Sequence, residues 1–559
     1  MMTVLGNVKY KYDYFSVIFL LFIAVIATFH EFLSCAFSVA LCIGLLLVNK
    51  EKDLIVYKNS LSVAVTVIVV MYLISCIYAV DEGMALIGFF KYLPLLLALF
   101  VFMQDENIVK NVHRGIPYLA VFMTVVSTIG MFIPATTGLF TVADRLAGFF
   151  QYPNSFALFL LVAELLLLGK DTKKYEYVMI FIIIGGILLS GSRTVWILAI
   201  LANIVAFTLI RKKIKALLIG AVGVATIATI YIFFIDDGTI LDRLLSFSIY
   251  ESTFIGRLLY FKDALPTILK HPLGLGYMGY YYTQSSFQTG VYSVRFIHND
   301  FLQLALDIGW IPLVLFVRAI VKSLMNKKND LYKKLIIVVI AAHSCFDFDL
   351  QFIAIYCILI SFLDIYEGSQ TQVKVKKQTV SVTLIAMILI NTYMGIALAT
   401  NFANKNEIAV KMYPWNTSAL TEVMLGQDSI DDMVPIADKL LNQNEYLVVA
   451  YSVKAREAYQ HGDFHSLIQY KNHIFDLAPY QYDEYEEYCN MLITGIEMFK
   501  QKGDDENVKI CENQLIVAKR KVERLGMTLS EFGKMIQDQP KTQLPKELAE
   551  YIDKVEEMY

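Results

Sequence analysis

Charge is scarce in this chain. Only 18% of its 559 residues are Asp, Glu, Lys or Arg, against 57% hydrophobic; a soluble globular protein carries roughly a quarter charged residues. That shortage excludes an ordinary soluble domain over most of the length. The formal net charge of −3 argues against a nucleic-acid partner. No C-x-x-C or similar metal spacing occurs among the seven cysteines. Cys35, Cys42, Cys76, Cys345 and Cys357 fall in apolar runs, where cysteine serves as a small hydrophobe. The first apolar run is followed by no small-residue cleavage site, so it reads as a retained span instead of a signal peptide.

What is present is a series of long apolar runs, such as "YFSVIFLLFIAVIATF" and "LSVAVTVIVVMYLIS". Length and apolarity predict about 12–13 spanning helices. Their limits fall near 14–30, 32–48, 61–80, 86–103, 116–134, 155–169, 177–190, 194–210, 214–235, 298–321, 332–348, 350–366 and 379–399. Lys and Arg orient them. Alternate connections carry Lys50, Lys52 and Lys58; Lys110 and Arg114; Lys170, Lys173 and Lys174; Arg211, Lys212, Lys213 and Lys215; Lys322, Lys327, Lys328, Lys333 and Lys334; and Lys374, Lys376 and Lys377. The others hold His30-Glu31, Asp81-Glu82, Asp144-Arg145 and Gly191-Ser192-Arg193. By the positive-inside rule the first set is cytoplasmic. The N-terminus is then inside, and the long loop 236–297 and the chain beyond residue 400 are outside.

The composition changes at residue 401. From there to 559 charges are frequent and no run is long enough to span. "AREAYQHGDFHSLIQYKNHIFDLAPYQYDEYEEYCNMLITG" has the apolar spacing of paired amphipathic helices and resembles tetratricopeptide units, with "AVKMYPWNTSAL" as a further unit of the same kind. The division expected is a membrane domain over 1–400 and an external helical domain over 401–559. An irregular helical domain is the alternative. Whether Cys489 and Cys511 pair is left open.

Polar groups at membrane depth need a reason. The topology brings several to the external face. "LLSGSRTVWILAI" places Arg193 at a span boundary, where it either binds an anion or reaches lipid phosphate. Arg257 lies in a surface helix predicted over 255–269, ahead of the Gly- and Tyr-rich "HPLGLGYMGYYY". In "VRFIHNDFLQLALDIGW", His298 marks the external end of a span, with Asn299 beside it, and Asp300, Gln303 and Asp307 share one helical face. That face either serves a site or bonds neighbouring spans. "DRLAGFFQYPNSFALF" adds Arg145 and the helix start Pro153-Asn154. Arginines at a partly dry surface bind phosphate through paired, charge-assisted bonds. A neutral histidine takes a proton from a hydroxyl near neutral pH. Together they suit transfer from a lipid-linked diphosphate, with no metal or other cofactor required.

At these residues the chain resembles the O-antigen ligase/polymerase family, membrane glycosyltransferases of GT-C-type architecture that use undecaprenyl-diphosphate-linked glycans. The matching pieces are "RLAGFFQYPNSFA" (Arg145–Ala157), "GSRTVWI" (Gly191–Ile197), "IGRLLYFKDAL" (Ile255–Leu265), "HPLGLG" (His271–Gly276) and "HNDFLQLALDIGW" (His298–Trp310). The resemblance implies an all-α polytopic bundle in a bacterial cytoplasmic membrane, with Arg193, Arg257 and His298 as functional residues. Arg145, Asn299 and Asp307 follow as orienting or substrate-binding candidates. Asp307 departs from the family, which commonly has Glu there. The stretch "HSCFDFDLQF" (His343–Phe352) reads as an interhelical polar cluster or an acceptor contact.

The expected reaction moves a glycan from undecaprenyl diphosphate to an acceptor hydroxyl, inverting the anomeric centre without a metal. The acceptor is a glycan, a lipid or a protein. The last would make this a protein O-oligosaccharyltransferase, and a helical tail is suited to docking a protein partner. A transporter or flippase would also hold arginines in a polar cavity, but it predicts repeated halves with paired broken spans, which the sequence does not display.

Overall fold

The computed structural model describes residues 2–49, 53–169, 173–209, 252–367, 372–375 and 377–558. The predicted span 214–235 and the first part of the external loop, 236–251, lie outside the described residues. So do the orienting residues Lys50, Lys52, Lys170, Arg211, Lys212, Lys213, Lys215 and Lys376.

The protein is an all-α polytopic helix bundle with almost no sheet. Four of the described helices are long and apolar enough to cross a membrane: Glu31–Asn49, Glu82–Phe102, Glu106–Met131 and Lys377–Phe402. Shorter apolar helices include Ser60–Ser75, Pro153–Leu168 and Ile353–Phe362. Chain contacts divide the molecule into two units. The first comprises Met1–Leu73, Ile87–Phe247 and His298–Ala399, and the second Ile74–Leu86, Ser248–Ile297 and Thr400–Tyr559.

In the first unit, apolarity on all sides makes a helix central. Pro153–Leu168 is buried at nearly every position and packs against Glu106–Met131, Lys174–Leu189, Arg193–Leu209 and Leu331–Ser344. Ile353–Phe362 is buried at every position. Local chemistry sets the helix starts. Proline opens Pro153–Leu168, where its missing N–H costs nothing. Asp105 caps Glu106–Met131 through the Asn107 amide, and Asp330 caps Leu331–Ser344 through the Lys333 amide. Strand Leu54–Tyr57 pairs antiparallel with Gln372–Val375, joining two segments that the charge pattern assigns to the cytoplasmic face.

One predicted span is broken in two. The run 298–321 reads as a single helix, but it is two, Asp300–Ile308 and Trp310–Met325, divided at Gly309. Gly309 has φ 85° and ψ −172°, a conformation essentially restricted to glycine. The first half is largely buried while the second leaves Ile311, Val314 and Met325 exposed, yet both are apolar, so hydropathy carries no trace of the break.

The second unit contains helix Ser252–Lys270 and a series of helical hairpins. Val448–Gln460 packs on Phe464–Leu477, and Tyr482–Lys502 on Asp505–Arg524. Asp463 and Asp504 cap the second helix of each pair. Cys489 and Cys511 are free thiols buried in the apolar core of this stack. The connection ahead of Glu82 joins the unit through buried Asp81. Its Oδ2 accepts from Thr417 Oγ1 at 2.6 Å and from Asn444 Nδ2 at 3.2 Å.

Candidate functional site

In the first unit the structure joins three of the polar segments through one hydrogen-bonded path. Arg145 lies against the turn that precedes Arg193. Its Nε donates to the Ser190 carbonyl at 2.7 Å and its terminal amine to Asn154 Oδ1 at 2.5 Å. Asn154, in the first turn of Pro153–Leu168, donates from Nδ2 to Asp347 Oδ2 at 2.7 Å. The other oxygen of Asp347 accepts from Tyr152 Oη at 2.7 Å and meets His298 Nδ1 at 3.2 Å.

The backbone explains how His298 is presented. It precedes the helix and takes φ 56°, the left-handed region, where histidine is tolerated better than most residues. Asn299 is the helix cap. Its Oδ1 accepts from the Phe301 and Leu302 amides at 3.1 and 3.0 Å, and its Nδ2 donates to the Cys345 carbonyl at 2.9 Å. Both functions of the Asn299 side chain are therefore structural, one capping the start of the helix and one tying it to the segment that carries Asp347. The His298 ring also meets Phe348 edge-on, with centroids 4.9 Å apart. Its side chain is 22% exposed while that of Asp347 is 1% exposed. A buried carboxylate facing Nδ1 favours the tautomer protonated there, so the Nε2 lone pair is directed away from the carboxylate.

Arg193 is the first residue of helix Arg193–Leu209 and is half-buried. Gly191, two residues earlier, turns the chain at φ 60° beneath the Arg145 side chain. Arg145, from the short strand Arg145–Leu146, thus braces the turn that leads into Arg193. Arg257 lies on helix Ser252–Lys270 in the second unit, half-buried, close enough to the Tyr260 phenol to offset part of the upward pKa shift that burial causes there.

Asp307 is in the packed interior of the first unit. Its Oδ1 accepts from Gln303 Nε2 at 2.8 Å and its Oδ2 from Tyr72 Oη at 2.9 Å, and it is fully buried. Tyr72 stacks on Tyr92, which donates to Gln351 Oε1 at 2.7 Å. The polar face of Asp300–Ile308 therefore bonds neighbouring helices. Asp300 contributes by accepting the Leu350 amide at 2.8 Å.

The residues that link the path, Asp347 and Tyr152, were not singled out from sequence. The signal available was the pair of acids in "FDFDLQF" at the end of a predicted span. The two acids have different surroundings. Asp349 accepts from Ser155 Oγ at 2.6 Å and meets His343 Nδ1 at 2.5 Å, an interhelical cluster with all three side chains buried. Asp347 alone reaches His298. In the second unit, the glycine-rich turn after His271 is a close approach of chain to chain: a Cβ on Gly276 would lie 2.3 Å from that of Ala79.

Among the described residues, no three His, Cys, Asp or Glu side chains come together to hold a metal ion. Chemically, the first-unit arrangement offers an oriented imidazole, a buried carboxylate behind it, and a turn that leads into Arg193 and is braced by Arg145. No curated protein matches the chain. Residues 178–317, which include Arg193, Arg257, His298, Asn299 and Asp307, match the family model described as O-antigen ligase, and over that stretch the chain carries an O-antigen ligase domain.

Proposed function

We propose that this protein transfers a glycan from undecaprenyl diphosphate to an acceptor hydroxyl at the external leaflet of a bacterial cytoplasmic membrane. The observation that carries the reading is the path from Ser190 through Arg145, Asn154 and Asp347 to His298. It supplies what a general base requires: a partly exposed imidazole whose tautomer and ring angle are held by a buried carboxylate. His298 Nε2 takes the acceptor proton as the acceptor oxygen attacks the anomeric carbon. The bond from that carbon to the diphosphate breaks on the opposite face, so the configuration inverts. Arg193 and Arg257 bind the diphosphate and neutralise the charge that grows on it as it leaves. Arg145, bonded within the protein, holds the turn that carries Arg193.

The reaction, so written, needs no metal. The test uses purified protein, an undecaprenyl-diphosphate glycan and separate candidate acceptors, with EDTA present and the glycan followed by mass spectrometry. Wild type is expected to consume donor. Arg193→Ala and His298→Ala are expected to lose transfer while remaining in the membrane. Growth of the lipid-linked chain identifies a polymerase, and movement to another lipid or polymer a ligase. Full activity in either variant would falsify its assignment.

A further inference from the structure

The second unit contains an arrangement that the reaction scheme leaves unused. Helix Ser252–Lys270 carries Arg257, and six residues further on it carries Asp263. Asp263 is buried. Burial pushes its carboxyl up, and hydrogen bonds from Thr289 and Tyr292 offset part of the shift. Its two oxygens accept from the Thr289 amide and the Thr289 hydroxyl, each at 2.7 Å, and from Tyr292 Oη at 3.1 Å. Thr289 is bonded on its other side as well: its carbonyl accepts from the Ser530 amide at 2.9 Å. Thr289 therefore links the Arg257 helix to a segment that begins 241 positions after Thr289 itself.

That segment, 530–539, is built to fit. Ser530 caps the short helix Glu531–Met535 through the Gly533 amide. Gln539 Nε2 folds back onto the carbonyls of Gly533 and Ile536 at 3.0 and 2.7 Å. Gly533 packs on the turn at Gly290. A Cβ at Gly533 would fall 2.2 Å from the Thr289 carbonyl oxygen and 3.1 Å from Gly290 Cα, so even alanine is excluded without displacement. Ile536 is buried with Ile255, Leu259 and Tyr292, and Phe532 packs beside them. Lys262, on the same helix as Arg257, lies over the Phe532 ring at 5.5 Å from its centre.

We infer that segment 530–539 is a strap that positions the Arg257-bearing helix through Thr289 and the Phe532–Ile536 contacts. The functional consequence rests on the proposed role of Arg257 in holding the donor diphosphate. A guanidinium aligns with a diphosphate only when its helix is held, and a misplacement of about 1 Å costs on the order of a hundredfold. Phe532, Gly533 and Ser530 are positioning residues in this scheme.

The test compares full-length Gly533→Ala and Phe532→Ala with wild type in nanodiscs, with Phe532→Leu as the conservative variant and Ile510→Ala, elsewhere in the tail, as control. Two readouts are taken: kcat/KM for the donor, and amide exchange over Ser252–Lys270. Each disruptive change is then placed on Arg257→Lys. The expected result is faster exchange in that helix and a loss of roughly ten- to a hundredfold in kcat/KM. Phe532→Leu should recover most of the loss and Ile510→Ala should match wild type. On Arg257→Lys the strap changes should add little, since both act through one group. Unchanged exchange in both disruptive variants overturns the strap, whatever Arg257 does. Full additivity on Arg257→Lys overturns its action through Arg257. Wild-type activity in Arg257→Lys, with exchange still accelerated by Gly533→Ala, would remove the donor role of Arg257 and leave the anchoring intact.

Discussion

His298 was recognisable as a residue but not as a geometry. A histidine at the edge of an apolar run, followed by Asn and Asp, announces a helix start and a group worth explaining. The carboxylate behind it lies 49 positions away, in a stretch that also holds a second acid and a second histidine. Sequence has no means of deciding which acid pairs with which histidine, because two residues separate the possible pairings. The fold decides: Asp347 meets His298, and Asp349 meets His343. Asp347→Asn keeps the volume and most hydrogen-bonding capacity but removes the charge that stabilises the imidazolium. It is expected to lower kcat by roughly 10²–10⁴-fold with donor binding retained, measured by single-turnover transfer beside a donor-binding assay. An unchanged kcat would mean that His298 does not act as a base through this pair.

Helices follow from the apolar runs and their caps, and most predicted limits hold to within a few residues. The break at Gly309 does not follow from them, since glycine inside a helical pattern is also tolerated unbroken. Its φ of 85° and ψ of −172° make the position intolerant of a side chain. Gly309→Ala is expected to cost about 1–3 kcal/mol, read as a lower thermal midpoint in detergent, and a midpoint equal to wild type would show that the break is not strained. In the tail, Lys471 is fully buried and pairs with Glu484 at 2.6 Å and with Glu487. Burial pushes the Glu487 carboxyl up, but Lys471 and Arg456 outweigh it and hold it below the ordinary value of 4.5. A carboxyl lowered on folding stabilises the fold above its unfolded pKa, and that contribution is lost as pH falls through the folded pKa. The tail is therefore expected to lose stability below about pH 4.5, with the acid dependence weakened in Glu487→Gln. Identical acid titrations of the two proteins, followed by circular dichroism, would remove this pair from the account.

At the scale of the molecule, the segregation of charge predicts an apolar bundle followed by a polar helical tail. The charge alternation further implies that the tail is external. Protease added to intact spheroplasts is expected to remove it while leaving the cytoplasmic connections protected, detected by immunoblotting with terminal tags. Protection of the tail until the membrane is opened would reverse the orientation and with it the leaflet of the proposed reaction. The division itself was only partly legible. Residues 248–297 and 74–86 group with the tail, because Asp81 bonds to Thr417 and Asn444 and Thr289 bonds to Ser530. These contacts connect positions hundreds of residues apart, and composition has no register in which to record them.

The sequence by itself determined the class of molecule, most of the apolar helices and the types of group available for chemistry, since each follows from local properties: apolar length, charge bias, caps and side-chain pKa. Tertiary structure alone decided which acid stands behind His298, that Asp307 bonds inside the bundle, where the run after His298 breaks, and what holds the Arg257 helix. The physical reason is common to all four. A hydrogen bond at membrane depth or in a packed interior needs its partner within about 3 Å, and only the folded chain brings distant segments that close.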